Sequence, residues 1–578
     1  MGVNKAQALS RRDVLRLGTG VAGAGALAAL GTVPAAAATS LAPSDINEMT
    51  VAQMQAAMAA GHLHSIDLVN FYLARIERLD QRGPTVNSVI ELNPEARSIA
   101  LSLDAERRAG KVRGPLHGIP ILLKDNIDTG DKMQTAAGSL GLVGTPARQD
   151  ATIAANLRAA GAVILGKTTL SEWANFRSFF SSSGWSGRGG QCNNPYALDR
   201  NPSGSSSGSG AATSSNFTAV SIGSETDGSI MSPANNNGVV GIKPTVGLTS
   251  RGGVVPISHT QDTVGPHGRT VADAATVLTA IVQRTPDPRD PATAVNRNLI
   301  PADYTTFLNA DGLRGARIGV ARQFEGFSPH LDAIFETALT AMQNAGAILV
   351  DVTFTHFSDI QSGTSETTVL DFDFKGDLQK YLATRVGVPL AGGTLADAIA
   401  FNNAHAAQEM PFFGQEVFLQ AETFDITSTT VVQQATGLSY ATALANDKLF
   451  GATEGIDQIL QQNSLKAIVA PTNNPPWPTD LINGDHFIVS STSPAAIVGY
   501  PMINVPMGLS FGVPVGMAFM GTAFSEPALI TLASGFEAVT HARQAPRFLS
   551  TLPFNTKGEP MTTRPRRLLP PRMAPSSM

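Results

Sequence analysis

Residues 202–234 read PSGSSSGSGAATSSNFTAVSIGSETDGSIMSPA. The stretch holds two Gly/Ser-rich turns, at 204–208 and 227–229, separated by a segment able to form a short helix and a strand. Serine hydroxyls beside glycines that leave backbone N–H groups accessible are what a nucleophile and an oxyanion hole need together. Flexible linkers share this composition. Here the run leads directly into Ala219-Val220-Ser221-Ile222-Gly223, an apolar segment of buried-strand character, with no change of composition on either side. The stretch therefore reads as part of a packed fold, with chemistry at its turns.

Upstream, residues 115–125 read PLHGIPILLKD. Ile119, Ile121, Leu122 and Leu123 predict a buried strand that delivers Lys124 into the interior. Two readings of Lys124 stand side by side. Its stem packs while its head reaches solvent or pairs with Asp125 or Asp128; or burial keeps the amine neutral, so that it serves as a general base near neutral pH. Before this strand, Thr50 is expected to cap a helix to about Ala60, Ser65 a second helix to Leu79, and a third runs over 94–109 and stops at Gly110. After it come a helix from Asp150 to Ala160, a strand at 162–165 and a helix opened by Thr168. The rhythm continues with strands at 238–244, 254–257, 317–321, 348–352, 467–471 and 515–519, and helices over 271–283, 331–345 and 526–541. Such alternation predicts an α/β layered fold. Residues 286–311 read as a surface connection, and 355–465 as mostly helical wall of a substrate pocket.

The chain of 578 residues is 43% hydrophobic and 15% charged, which suits a soluble protein with a large core. Its first 39 residues carry a net +3, so the remainder carries −8 and offers no basic face for nucleic acid. Cys192 is the single cysteine, which excludes an intrachain disulfide and a cysteine-based metal site; nothing nearby would lower its pKa, so it is expected to pack in a glycine-rich loop. At the N-terminus, Ser10-Arg11-Arg12-Asp13-Val14-Leu15 is a twin-arginine export pattern, followed by a Gly/Ala-rich apolar stretch to Val33 and by Pro34-Ala35-Ala36-Ala37-Ala38. The stretch lacks the leucine density of a spanning helix, so cleavage near Ala37 or Ala38 is expected. The resulting organisation is a signal peptide at 1–38, a catalytic domain at 39–561 and a Pro/Arg-rich disordered tail at 562–578. The protein would fold in the cytosol and work in the periplasm or outside the cell, with no stable membrane anchor.

Residues 204–208 also match a Gly-x-Ser-x-Gly elbow with Ser206 as nucleophile, but the motif needs a strand directly before Gly204, where the chain reads Asp199-Arg200-Asn201-Pro202-Ser203. A Ser-x-x-Lys signature is absent. The pairing of PLHGIPILLKD with PSGSSSGSGAAT and GSETDGSIMSPA resembles the amidase signature family, and the GSETDGSI version followed by GVVGIKPTVGLTSRGGVVPISHTQDTVGP is most similar to its bacterial peptide amidases. The resemblance is strong over about 47–273 and loose beyond. It implies an α/β fold in one large domain, with a central mixed, mostly parallel twisted sheet covered by helices on both faces. It also implies a Ser–Ser–Lys triad: Ser229 as nucleophile, Ser205 as the bridging serine after a cis Gly204–Ser205 bond, and Lys124 as base. Backbone N–H groups of Thr226, Asp227, Gly228 and Ser229 would form the oxyanion hole. Neither a metal nor an organic cofactor is implied.

Two departures from the family pattern stand out, Glu225 where Asp is frequent and Met231 where an Arg follows the nucleophile, so a carboxylate–guanidinium support is expected to be missing or replaced. Asp227 reads either as a solvent-facing turn residue or as a substrate contact. The expected activity is hydrolysis of a carboxamide, above all a C-terminal peptide amide, to carboxylate and ammonia, with a small-molecule or peptide amide as the partner. A broader acylamidase or amide/ester hydrolase with the same triad, and a glutamine-hydrolysing amidotransferase subunit, are the alternatives. Export counts against the last of these.

Overall fold

Most strand-forming runs in this chain are short, apolar and rich in β-branched or small residues, the composition of strands covered on both faces. In the computed structural model, which describes residues 43–295 and 297–552, they assemble into one sheet. The twin-arginine segment and the tail from 562 lie outside the described residues. The strands are β1 (Val89–Leu92), β2 (Pro120–Lys124), β3 (Val163–Thr168), β4 (Val220–Glu225), β5 (Val240–Lys243), β6 (Thr263–Gly268), β7 (Arg317–Ala321), β8 (Ile348–Val352), β9 (Ala467–Pro471), β10 (Met502–Ser510) and β11 (Val513–Met520). Their order is β1-β3-β2-β4-β6-β5-β10-β11-β9-β7-β8.

The sheet is mixed, as expected, but the expectation that it is mostly parallel needs correction. Parallel pairing is confined to two blocks, β3-β2-β4 and β9-β7-β8. The centre, from β4 through β6, β5, β10 and β11 to β9, is antiparallel. Parallel neighbours need a crossover, whereas antiparallel ones accept a short turn. The β10–β11 pair is such a hairpin: Phe511 and Gly512 both have positive φ, which a tight two-residue turn requires. The strand β10 escaped the sequence reading because Pro506 interrupts it; the proline sits where the register slips between Pro506 and Gly508, the place a strand tolerates it.

Helices cover the sheet, Val271–Ile281 and Glu526–Thr540 among them, and one continuous apolar core joins them to it. Thr50 caps the helix Val51–Ala59 in a reciprocal box with Gln53, as expected. Ser65 is the first residue of the helix Ser65–Arg75 and not its cap; His64 takes that place, its N–H donating to Asp67. Thr168 opens no helix. It is the last residue of β3, held in register opposite Lys124, with its hydroxyl on Ser209 at 2.8 Å. Residues 254–257 form no strand either, only an isolated bridge from Val254 to Ile127. Among the described residues no helix is long and apolar enough to cross a membrane.

Candidate active site

The site forms at the C-terminal ends of β2 and β4. These strands are parallel neighbours, with Ile121, Leu122 and Leu123 opposite Val220, Ser221 and Ile222, so both strands end together and the Lys124 side chain reaches Ser224. The carboxyl ends of adjacent parallel strands are where α/β sheets gather ligand-binding groups. Lys124 is fully buried. Its Nζ lies 2.8 Å from Ser205 Oγ, 2.9 Å from Ser224 Oγ and 3.1 Å from Ser224 O. Burial lowers its pKa to about 7, against the opposing pull of the Asp262 and Glu225 carboxyls. The reading in which Lys124 pairs with Asp125 or Asp128 does not hold: Asp125 is bridged to Arg188 at 2.8 Å and Asp128 to Arg385 at 3.1 Å.

Three consecutive serines in the first turn have distinct environments. Ser205 follows a cis Gly204–Ser205 bond and places its hydroxyl on Lys124. Ser206 precedes the helix Ser207–Ser214; its hydroxyl donates to Ser224 O at 3.1 Å and accepts from Ser224 N at 3.2 Å. Ser207 Oγ donates to Ser203 O at 2.6 Å. Ser206 and Ser207 are thus tied to backbone. The Ser206 N–H reaches Ser229 O at 3.1 Å, which joins the two glycine-containing turns.

The second turn, 226–229, connects β4 to the helix Met231–Asn236. Gly228 adopts φ +76, a conformation that L side chains rarely take. Glu225 shapes the turn from below: its Oε2 accepts from Ile230 N at 2.6 Å and from Met231 N at 2.9 Å. Burial raises the Glu225 pKa, and the Lys243 ammonium is the largest opposing influence. Met231, where the family pattern has an Arg, is fully buried and gives Glu225 its backbone N–H and no guanidinium. Thr226 Oγ1 donates to Asp262 Oδ1 at 2.6 Å, and the other Asp262 oxygen accepts from Ile257 and Ser258 N–H. Among the described residues no hydrogen bond is donated by the backbone N–H of Thr226, Asp227, Gly228 or Ser229. Such donors can receive a developing oxyanion.

All four residues of that turn line a cavity of about 290 Å³, together with Gly204, Phe176, Ile257, Glu366, Leu370 and Phe487. The region 355–465, expected to wall the pocket, contributes Glu366 and Leu370 of the helix Thr364–Leu382; segments 174–176 and 487–493 supply much of the rest. Asp227 is a cavity residue, and its Oδ2 accepts from Ser493 Oγ at 2.6 Å. Cys192 is buried away from this chemistry, and burial pushes its thiol pKa well up. His267 is buried with Nε2 3.0 Å from Ile230 O, its pKa lowered by burial to about 4, so it is neutral.

Sequence reasoning missed Ser224 and Asn126, whose Nδ2 donates to Ser224 Oγ at 2.9 Å and so orients the hydroxyl that faces Lys124. The signal was weak but present, since both flank the motif residues, Asn126 two after Lys124 and Ser224 just before Glu225. Among the described residues no group of three or more His, Cys, Asp or Glu side chains could hold a metal ion.

The Amidase family model matches residues 67–530. The native peptide amidase of Stenotrophomonas maltophilia is 47% identical and superposes with a TM-score of 0.79, covering 87% of this chain and 99% of that one. The peptide amidase PAM has also been solved with the competitive inhibitor chymostatin, and that chain is 48% identical with a TM-score of 0.80, over 87% of this chain and 100% of the other. The Arabidopsis thaliana protein named Probable amidase At4g34880 is 43% identical over 513 residues, 87% of this chain and 92% of its own length. A glutamyl-tRNA(Gln) amidotransferase subunit of Chloroflexus aurantiacus is 31% identical over 88% of this chain and 100% of its length. This chain belongs to the amidase family and is a hydrolase acting on amide bonds.

Proposed function

We propose that the protein hydrolyses C-terminal carboxamides of peptides to carboxylate and ammonia through an acyl-enzyme at Ser229. The observation that carries this reading is the 2.8 Å contact between Lys124 Nζ and Ser205 Oγ, beside a cavity that Ser229 lines. A lysine with a pKa near 7 is partly neutral at neutral pH, and its lone pair can then take the Ser205 proton. Ser205 in turn takes the proton of Ser229 as its oxygen attacks the carboxamide carbon. The C=O electrons move onto oxygen, held by the free N–H groups of 226–229, each such donor contributing about 2.7–4 kcal/mol to the transition state. Collapse breaks the C–N bond, and the leaving nitrogen collects a proton through Ser205 and departs as ammonia. Water then enters by the same relay, cleaves the ester and frees Ser229. The likeness to peptide amidases of 47–48% identity supports the peptide carboxamide as substrate over the glutamine of an amidotransferase.

The test is ammonia release from peptide amides, aryl amides and fatty amides by the wild type and by Ser229→Ala. Peptide amides should lead the panel, and Ser229→Ala should lower their turnover by about 10⁶-fold. An unchanged rate in Ser229→Ala would overturn the nucleophile, and preference for fatty or aryl amides would overturn the substrate. We further propose export by the twin-arginine route; replacing Arg11 and Arg12 by Lys should trap the activity in the cytosolic fraction.

A further inference from the structure

Among the described residues the cavity over Ser229 is lined by no lysine, arginine or histidine, yet two carboxyl groups from distant parts of the chain face it. Asp227 comes from the turn two residues before Ser229, and Glu366 from the helix Thr364–Leu382. Each is oriented by a neutral donor: Ser493 Oγ donates to Asp227 Oδ2 at 2.6 Å, and Gln261 Nε2 to Glu366 Oε1 at 2.8 Å. Asp227 Oδ1 is buried and accepts no hydrogen bond. Burial raises both carboxyl pKa values; the Asp227 and Asp447 charges push that of Glu366 further up, whereas contact with the Glu366 carboxyl lowers that of Asp227. The Lys243 ammonium is the cation felt by Asp227, but it donates to Tyr500 O at 2.6 Å and is shared with Glu225 and Glu526. An unpartnered carboxylate oxygen beside a second carboxyl is complementary to a primary ammonium, which brings three donors and the opposite charge.

We propose that this cavity selects amides carrying a primary ammonium close to the scissile carbonyl, with Asp227 and Glu366 as the specificity-determining pair. The proposal rests on the reading of Ser229 as nucleophile. Because Asp227 is two residues from Ser229, and the α-nitrogen of a peptide's last residue is acylated, the ammonium belongs to the side chain of the residue that bears the carboxamide, as in a lysinamide. An uncharged group of similar size would leave the pair desolvated and unmatched, and sites with unpaired buried polar groups discriminate strongly.

Ammonia release from a matched pair, N-acetyl-lysinamide and N-acetyl-norleucinamide, tests this. The charged member should be preferred about tenfold or more in kcat/KM. Glu366→Gln should bring that ratio to within about threefold, and a melting temperature close to that of wild type reports that the variant is folded. Equal or reversed rates overturn the proposal while leaving the amidase reading intact, and so does a ratio unchanged in Glu366→Gln. Hydrolysis of neither amide overturns the Ser229 reading and this inference with it.

Discussion

Lys124 at the end of β2 and Lys167 on the adjacent β3 are both fully buried, and burial lowers the pKa of both. Their partners differ. Lys167 donates to Ile127 O at 2.6 Å and to Thr135 Oγ1 at 3.0 Å, in the field of Asp125, Asp128, Asp131 and Glu91, which pull its pKa back up. Lys124 meets the hydroxyls of Ser205 and Ser224 and the Ser224 carbonyl, with the Asp262 and Glu225 carboxyls opposing the effect of burial. The four carboxyls around Lys167 favour its charged form. A hydroxyl both donates and accepts, so the Ser205 contact survives when Lys124 is neutral. Burial alone does not make a lysine a base; fewer carboxyls around it and a hydroxyl able to pass it a proton do.

Four measurements break or sharpen that contrast. The largest effect is expected for Lys124→Met, which should lower kcat/KM on a peptide amide by about 10³-fold at pH 7, within the range that general-base removal produces. Comparable activity in this variant would end the contrast. Next is the pH profile of the wild type. Protonated Lys124 cannot accept from Ser205, so activity should fall about tenfold per unit below pH about 7 and level off above it. A profile flat from pH 5 to 8 would contradict a titrating Lys124.

Lys167→Met should do the reverse of Lys124→Met. It removes two hydrogen bonds to an ammonium, worth about 1.5–3 kcal/mol each, and leaves Ile127 O and Thr135 Oγ1 only their 3.3 Å bond to each other, so the melting temperature should fall while kcat per folded molecule stays within about threefold of wild type. Smallest is Ser206→Ala, which carries the contrast to the serines. Its hydroxyl serves the Ser224 backbone and not Lys124, so turnover should drop less than about tenfold. A collapse matching that of Ser229→Ala would return Ser206 to the role that the Gly-x-Ser-x-Gly spacing offers it.

Much of the fold was legible because its signals are local. The runs that became β2, β3, β4, β7, β8 and β9 are short, apolar and bounded by turn residues, and the box of Thr50 and Gln53 marks a helix start within four residues. What was misread depended on distant pairing. Thr168 looks like a helix cap until Lys124 is placed opposite it, and Pro506 looks like a strand breaker until a register slip accommodates it. Direction was illegible for the same reason, since strand polarity within a sheet is set by which connections cross over and not by the strands themselves.

The amino-acid sequence by itself determined the family and the identity of the chemical groups, because PLHGIPILLKD, PSGSSSGSGAAT and GSETDGSIMSPA are long and jointly specific. Tertiary structure decided what each group touches. It brought Ser205 to Lys124 across 81 residues and left Ser206, its neighbour in the chain, bound to backbone. It also set Glu366 from a far helix against the turn that holds Asp227. Proton affinity depends on solvation and on neighbours within a few ångströms, quantities that exist only once the chain has closed on itself.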